Sequence, residues 1–240
     1  PPAVPTVQYG TLPPIQFPKQ ELDTFSFTVD TVEGTLPVFA SQTKVYQLVK
    51  RQPSLISFGE ARKTVGQLGF TANESAQTAT LYAWEDPTEE GRKISFDTVS
   101  KNFDMTSDFY HDREVLLAKH VPKANEAKAV VTEFLSRINL LPDDLDLEKT
   151  KISFFTIEGT SLIKTTSLAN AKIVRLDFFR KPIEKIPILH APPDVSPITF
   201  LLGSEGESES KVVEAHLSYQ PIDTNDFSTY SIKTTDAAFK

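Results

Sequence analysis

The chain has 240 residues, 39% of them hydrophobic and 24% charged, enough to bury a substantial core in one large or two small domains. Its formal charge of -7 and isoelectric point near 5.2 argue against a nucleic-acid footprint, which needs a basic stripe. The absence of cysteine excludes a disulfide framework, a thiolate metal site and a cysteine nucleophile.

The opening "PPAVPTVQYGTLPPIQFPK" carries Pro1, Pro2, Pro5, Pro13, Pro14 and Pro18. Proline at this density removes amide donors and favours extended backbone, so residues 1–19 read as a Pro-rich spacer or as an ordered strap laying Val7, Tyr9, Leu12, Ile15 and Phe17 on the body. "FSFTVDT" then alternates, with Phe25, Phe27 and Val29 on one face of an expected strand, and "KVYQLVK" at Lys44 to Lys50 gives another. "SFGEARKTVGQLGF" predicts a short helix with a Ser57/Glu60 capping box, an Ala61, Val65 and Leu68 stripe, and Gly69 as the C-terminal cap. "TATLYAWED" and "RKISFDTVS", joined by an acidic turn, predict two strands, and "NFDMTSDF" a third. The acidic tips at Asp86 to Gly91 and Ser204 to Ser210 offer charge and little to bury, and are expected to be mobile.

"KANEAKAVVTEFLSRINLL" places Ala127, Val130, Val131, Phe134, Leu135, Ile138 and Leu141 at helical spacing, with Pro142 as the stop. Strands are expected at "TKISFFTI", "AKIVRLDFFR", "SPITFLLG" and "KVVEAHLSY", and one more before "YSIKTTDAAF". "SFGEAR", "KANEAK" and the closing "TTDAAF" share a helix-start form: a polar segment, then an acid suited to the positive helix end, then Ala for close contact with a sheet. The expected fold is therefore α+β: tandem units of antiparallel sheet with one helix packed on each, at 20–118 and 119–233. A Pro-rich extended segment at 1–19 precedes them, and the start of a further, truncated helix at 234–240 follows. The two units are expected to share an interface and form one continuous body.

No local motif for chemistry emerges. His111, His120, His190 and His216 have no HxH or HExxH spacing, so a zinc site would need distant histidines to converge. "DDLDLE" has Asp144, Asp146 and Glu148 at alternate positions, but Lys149 and Phe155 stand where a calcium loop needs Gly and Glu, so it reads as a solvated helix-to-strand connection. "GSEGESES" lacks nucleophile-elbow order, and no GxGxxG or GxxxxGK occurs. No cofactor or metal is expected. The most distinctive stretch is "LDFFRKPIEKIPIL", near which Arg175 and Arg180 sit on an apolar strand with Phe178 and Phe179. These arginines could bind a carboxylate ligand in a pocket shared with Trp84, or simply pair with Asp177, Glu184 or a neighbouring strand.

The stretches "YGTLPPIQFPKQ", "GTLPVFASQTKVY", "ARKTVGQLGF", "NFDMTSDF", "LPDDLDLEKTKISFFTI", "VRLDFFRKPIEKIPIL" and "LSYQPIDTNDFSTYSIKTTDAAF" resemble the extracytoplasmic part of uncharacterised membrane-anchored proteins of candidate-phyla (Patescibacteria-type) bacteria, along essentially the whole chain. The resemblance implies an N-terminal membrane helix before the Pro-rich spacer and a further unit after "KTTDAAF". In outline and unit order the helix-on-sheet units are similar to PepSY-like and YycH/YycI-type regulatory domains, which bind partners rather than catalyse. The expectation is a non-enzymatic, extracytoplasmic protein-binding module of the cell envelope: a monomer, with an envelope or membrane protein as partner and the membrane reached only through the anchor. The alternative is a small-ligand or peptide sensor with a pocket between the two units. A hydrolase with dispersed carboxylates is a third possibility, since strands distant in sequence can bring such a pair together.

Overall fold

The computed structural model describes residues 4–14, 30, 34–36, 38–189, 195–205 and 209–239. In chain order its elements are β1 (Gln42–Leu48), α1 (Ser57–Gly66), β2 (Ala72–Ala76), β3 (Leu81–Glu85), β4 (Lys93–Asp97), β5 (Phe103–Thr106), α2 (Arg113–Leu117), α3 (Ala124–Arg137), β6 (Leu145–Glu158), β7 (Ser161–Thr165), β8 (Ile173–Arg180), β9 (Ile198–Glu205), β10 (Glu209–Leu217), β11 (Ile222–Ser231) and α4 (Thr235–Phe239). The expected strand "FSFTVDT" lies, apart from Asp30, outside the described residues.

The contacts divide the chain into two compact units, Pro1–Lys50 with Pro221–Lys240, and Arg51–Gln220. The larger unit is an antiparallel sheet of nine strands in the order β2-β3-β4-β5-β10-β9-β8-β6-β7. Period-two alternation sorts its side chains. Ile94 and Phe96, Phe103 and Met105, Ala215 and Leu217, Ile198 and Phe200, and Val174, Leu176 and Phe178 all face one side. On that side α1 contributes Ala61 and Val65, and α3 contributes Ala127, Val131, Phe134 and Leu135, to the same buried cluster. A smaller cluster lies on the opposite face, where α2 sets Val115 among Phe109, Ile173, Leu201 and Val213. The α+β class thus holds, with strand dominating.

The smaller unit pairs β1 antiparallel with β11, from Gln42↔Ser231 to Leu48↔Ile222, with a bulge at Tyr46/Gln47. Val7 N–H donates to Thr229 O (3.1 Å), Gln8 N–H to Ser228 Oγ (2.7 Å) and Tyr9 O–H to Asp226 Oδ1 (2.6 Å), so residues 7–9 lie along β11 as a strap. Thr234 Oγ1 accepts from Ala237 N–H (3.2 Å) at the start of α4.

The expected division at 118/119 is not the one these contacts make. Phe103↔Leu217, Asp104↔His216 and Met105↔Ala215 join β5 to β10, so strands from both sides of that point lie in one sheet, while β1 and β11 form the other unit. Local signals shift as well. The N-cap of α1 is Ile56, without a side-chain cap, and Ser57 Oγ instead accepts from Ser54 N–H (3.0 Å), so the expected capping box does not form. Gly69, at φ +95°, does turn the chain after α1, and Phe70 N–H closes onto Val65 O (3.1 Å). The end of α3 comes before Pro142: Asn139 takes the left-handed conformation at φ +55°, and Leu140 N–H reaches Leu135 O (2.9 Å). "DDLDLE" enters β6, whose register with β8 shifts between Asp146 and Lys151, rather than forming a separate connection.

α2 can seat on the sheet because β9 has glycine beneath it. A Cβ on Gly203 would meet Val115 Cγ2 at 2.9 Å and Val213 Cγ1 at 3.2 Å. Gly203→Ala is expected to destabilise the protein by about 1–3 kcal/mol in urea unfolding, because a well-packed contact has no room for an added methyl group. Val115→Ala in the same chain should recover part of that loss, giving a non-additive cycle.

Candidate functional site

On the face away from α1 and α3, side chains from six neighbouring strands fall into one register row. Ser95 pairs with Asp104, Asp104 with His216, His216 with Thr199, Thr199 with Asp177, and Asp177 with Lys151. Each of them alternates with residues of the main core, which fixes its direction. Five strand spacings give the row a span of about 24 Å. His216 Nδ1 contacts Asp104 Oδ1, and these side chains are 47% and 65% exposed. Thr199 Oγ1 donates to Asp177 Oδ1 (3.0 Å), and Arg175, one register position away, donates through Nε to both Asp177 oxygens (3.0 and 3.2 Å). Glu214 stands beside the row, half-buried. Burial pushes its carboxyl above the ordinary value, Arg175 pulls it back, and Asp104 pushes it further up.

The three residues expected to share a ligand are not brought together. Arg175 and Arg180 are five residues apart on β8, so they face opposite sides of the sheet. Arg175 pairs with Asp177, the structural alternative. Arg180, with its side chain 7% exposed, pairs with Asp144 through Nε (2.7 Å) and Nη2 (2.6 Å) and lies over the Tyr219 ring at 4.9 Å. Trp84 is buried at 1% exposure against Phe58 and Tyr82, with its indole N–H donating to Glu74 (3.0 Å). Four strands separate β3 from β8, so Trp84 stands about 24 Å from either arginine.

A second feature is concave. A cleft of about 720 Å³ opens between the β3–β4 turn, α3 and the start of β10, lined by Glu89, Arg92, Glu133, Phe134, Arg137 and Lys211, together with Val130, Glu209, Ser210 and Val212. Its inner wall is a closed ionic lattice. Arg92, its side chain 14% exposed, pairs with Asp86, donates to Leu68 O (3.2 Å), and covers the Phe70 ring at 4.4 Å. Lys211 Nζ bonds Asp112 (2.6 Å) and reaches Glu89 (3.6 Å), which also faces Arg92 (3.9 Å). The β3–β4 turn, expected as a mobile acidic tip, is thus tied in by Asp86. Burial alone would raise the Asp86 carboxyl, but hydrogen bonds from Thr88 and Arg92 and the Arg92 charge hold it below its ordinary value. Glu133, Arg137 and Glu209 form no ion pair among the described residues.

Among the described residues no group of three or more His, Asp or Glu side chains is placed to hold a metal ion; His190 lies outside them. No described helix is long and apolar enough to cross a membrane. Comparisons with family models, curated proteins and solved structures return no match for this chain.

Two outcomes follow from the charges. Arg92→Ala strands a buried Asp86 carboxylate and should cost about 3 kcal/mol or more at neutral pH by chemical unfolding. Because the folded-state pKa of Asp86 is depressed, its contribution is present above the ordinary carboxylate value and lost as pH falls through the folded one, so the mutant deficit should shrink in acid. Glu214 has the opposite sign: its raised pKa stabilises only at low pH, and that contribution is lost as pH rises. Glu214→Gln should therefore raise the unfolding midpoint at pH 7 and lose that advantage in the acid range, measured by thermal unfolding across pH.

Proposed function

We propose that this chain is a non-enzymatic binding module that presents the sheet face away from α1 and α3, beside α2, to an envelope protein, on the extracytoplasmic side of a membrane-anchored protein. The observation that carries the reading is the Ser95-to-Lys151 row: six strands aligned to offer polar side chains of both signs, with Asp104 and His216 exposed, on a rigid sheet buttressed from behind by α1 and α3. A shallow surface about 24 Å across suits a partner patch of roughly 800 Å². Alternating acids and bases set register and orientation for such a partner. The half-buried Glu214 charge, which costs stability at neutral pH, is the kind of compromise a binding surface retains. The extracytoplasmic placement and the envelope partner rest on the sequence resemblance.

The cleft favours a second reading, a sensor of small ligands or peptides. It is lined by the β3–β4 turn, α3 and the start of β10, and not by Arg175, Arg180 or Trp84, so this reading rests on the cleft itself.

Affinity capture from envelope extract tests the first reading. The native chain should recover a membrane protein, and Asp104→Arg combined with Lys151→Glu should abolish recovery while leaving the unfolding midpoint nearly unchanged, since both side chains are exposed. Undiminished recovery by the double variant, or turnover of a substrate by the purified chain, would overturn it.

A further inference from the structure

Every cation that forms the inner wall of the cleft is already neutralised. Arg92 is held by Asp86, and Lys211 by Asp112 and Glu89. Burial works against the Asp112 carboxylate, but the Lys211 hydrogen bond, the Glu114 and Val115 amides and the Lys211 charge together hold its pKa below the ordinary value. The groups left to meet a ligand are the side chains of Glu133, Arg137 and Glu209 and the Ser210 hydroxyl, around an apolar floor of Val130, Phe134 and Val212. Glu133 and Arg137 lie one turn apart on α3, on the helix face that also carries Val130 and Phe134. The Arg137 guanidinium sits over the edge of that floor, 5.8 Å from the Phe134 ring centre, which orients its planar donors without occupying them.

One guanidinium and two carboxylates around a small apolar floor describe the complement of a molecule with one carboxylate and more than one ammonium group. We propose that this cleft binds a short peptide that carries a basic side chain and a free C-terminal carboxylate. Arg137 takes the carboxylate through paired N–H donors, Glu133 and Glu209 take the ammonium groups, and Phe134 with Val130 and Val212 covers the aliphatic part. The cleft volume of about 720 Å³ lies within the usual range for ligand sites and accommodates two or three residues. The inner lattice gives the site its rigidity: Arg92, Glu89 and Lys211 fix the β3–β4 turn to the start of β10, so the walls are set before a ligand arrives. The proposal rests on the second functional reading and is independent of the sheet-face row.

The test is calorimetric titration of the native chain with alanyl-lysine, alanyl-glutamate, alanyl-alanine and glucose, repeated with Arg137→Gln, Glu133→Gln and, as a control at the other face, Arg175→Gln. The expected result is saturable binding of alanyl-lysine, weakened about tenfold or more by Arg137→Gln and by Glu133→Gln, unaffected by Arg175→Gln, and much weaker binding of the other three compounds. Equal affinity for alanyl-glutamate, or alanyl-lysine binding that both cleft variants leave intact, overturns the assignment of the cleft. Saturable binding of glucose or alanyl-alanine alone overturns this ligand chemistry while preserving the small-ligand reading. No saturable binding in any arm overturns both. Arg137 and Glu133 are exposed and form no ion pair among the described residues, so their variants should keep the native unfolding midpoint, and a shifted midpoint in Arg137→Gln is checked against Arg137→Lys, which retains the charge but loses the planar fork.

Discussion

The pairing of β5 with β10 is the constraint on which the rest of the larger unit depends. Three residue pairs, between Phe103–Met105 and Ala215–Leu217, connect the strands that follow α1 to those that follow α3. Without them the molecule would have two smaller sheets, each with an edge to protect. With them, Met105, Phe103, Ala215 and Leu217 enter one continuous core, and α1 and α3 lie on the same face because both cover that core. The polar row and the cleft are consequences of the same junction: the row crosses it at Asp104–His216, and the cleft spans it between the β3–β4 turn and the first residues of β10.

The two faces of this sheet divide the labour of the fold. The face under α1 and α3 is apolar and closed, and its charged residues are confined to the periphery, where Arg180 meets Asp144 and Arg92 meets Asp86. The other face carries a smaller apolar cluster that runs from Val115 of α2 to Phe155, Ile157 and Leu162 on β6 and β7, and its polar row carries hydroxyls and charges. An antiparallel sheet tolerates one wet face because its backbone groups are already paired within the sheet. Polar side chains on such a face can vary at little cost to the core.

Legibility in the sequence followed locality. Strands with apolar alternation, such as "KISFD" and "IVRLDFF", and the α3 stripe were read directly from spacing. β2, "ANESA", and β7, "SLIKT", were missed because neither alternates clearly; each is a strand through pairing with its neighbour. α2 has only five residues, and its signal was Asp112, whose carboxylate accepts from Glu114 N–H (2.8 Å). The opposed orientation of Arg175 and Arg180 was legible from their odd spacing. The row was not, since Asp104 and His216 are 112 residues apart and nothing local announces their register. The cleft was hidden for the same reason: Glu133 and Arg137 read as an ordinary solvated helix face until the β3–β4 turn and β10 are placed beside them.

The smaller unit is built from both ends of the chain, with the larger one between them. That order has a temporal meaning. β1 is made early, yet its partner β11 arrives only after the intervening 51–220 has been synthesised, and Leu48 must then find Ile222. Closing so long an open loop would cost about 4–5 kcal/mol in chain entropy. Once the larger unit has folded, that search is short, because Arg51 donates to Ser100 O and Tyr219 N–H donates to Asn102 Oδ1 (2.9 Å), so the β4–β5 turn holds both ends of the inserted segment. Formation of the β1–β11 ribbon therefore reports on completion of the inserted sheet, and a chain whose larger unit fails to fold would leave β1 unpaired.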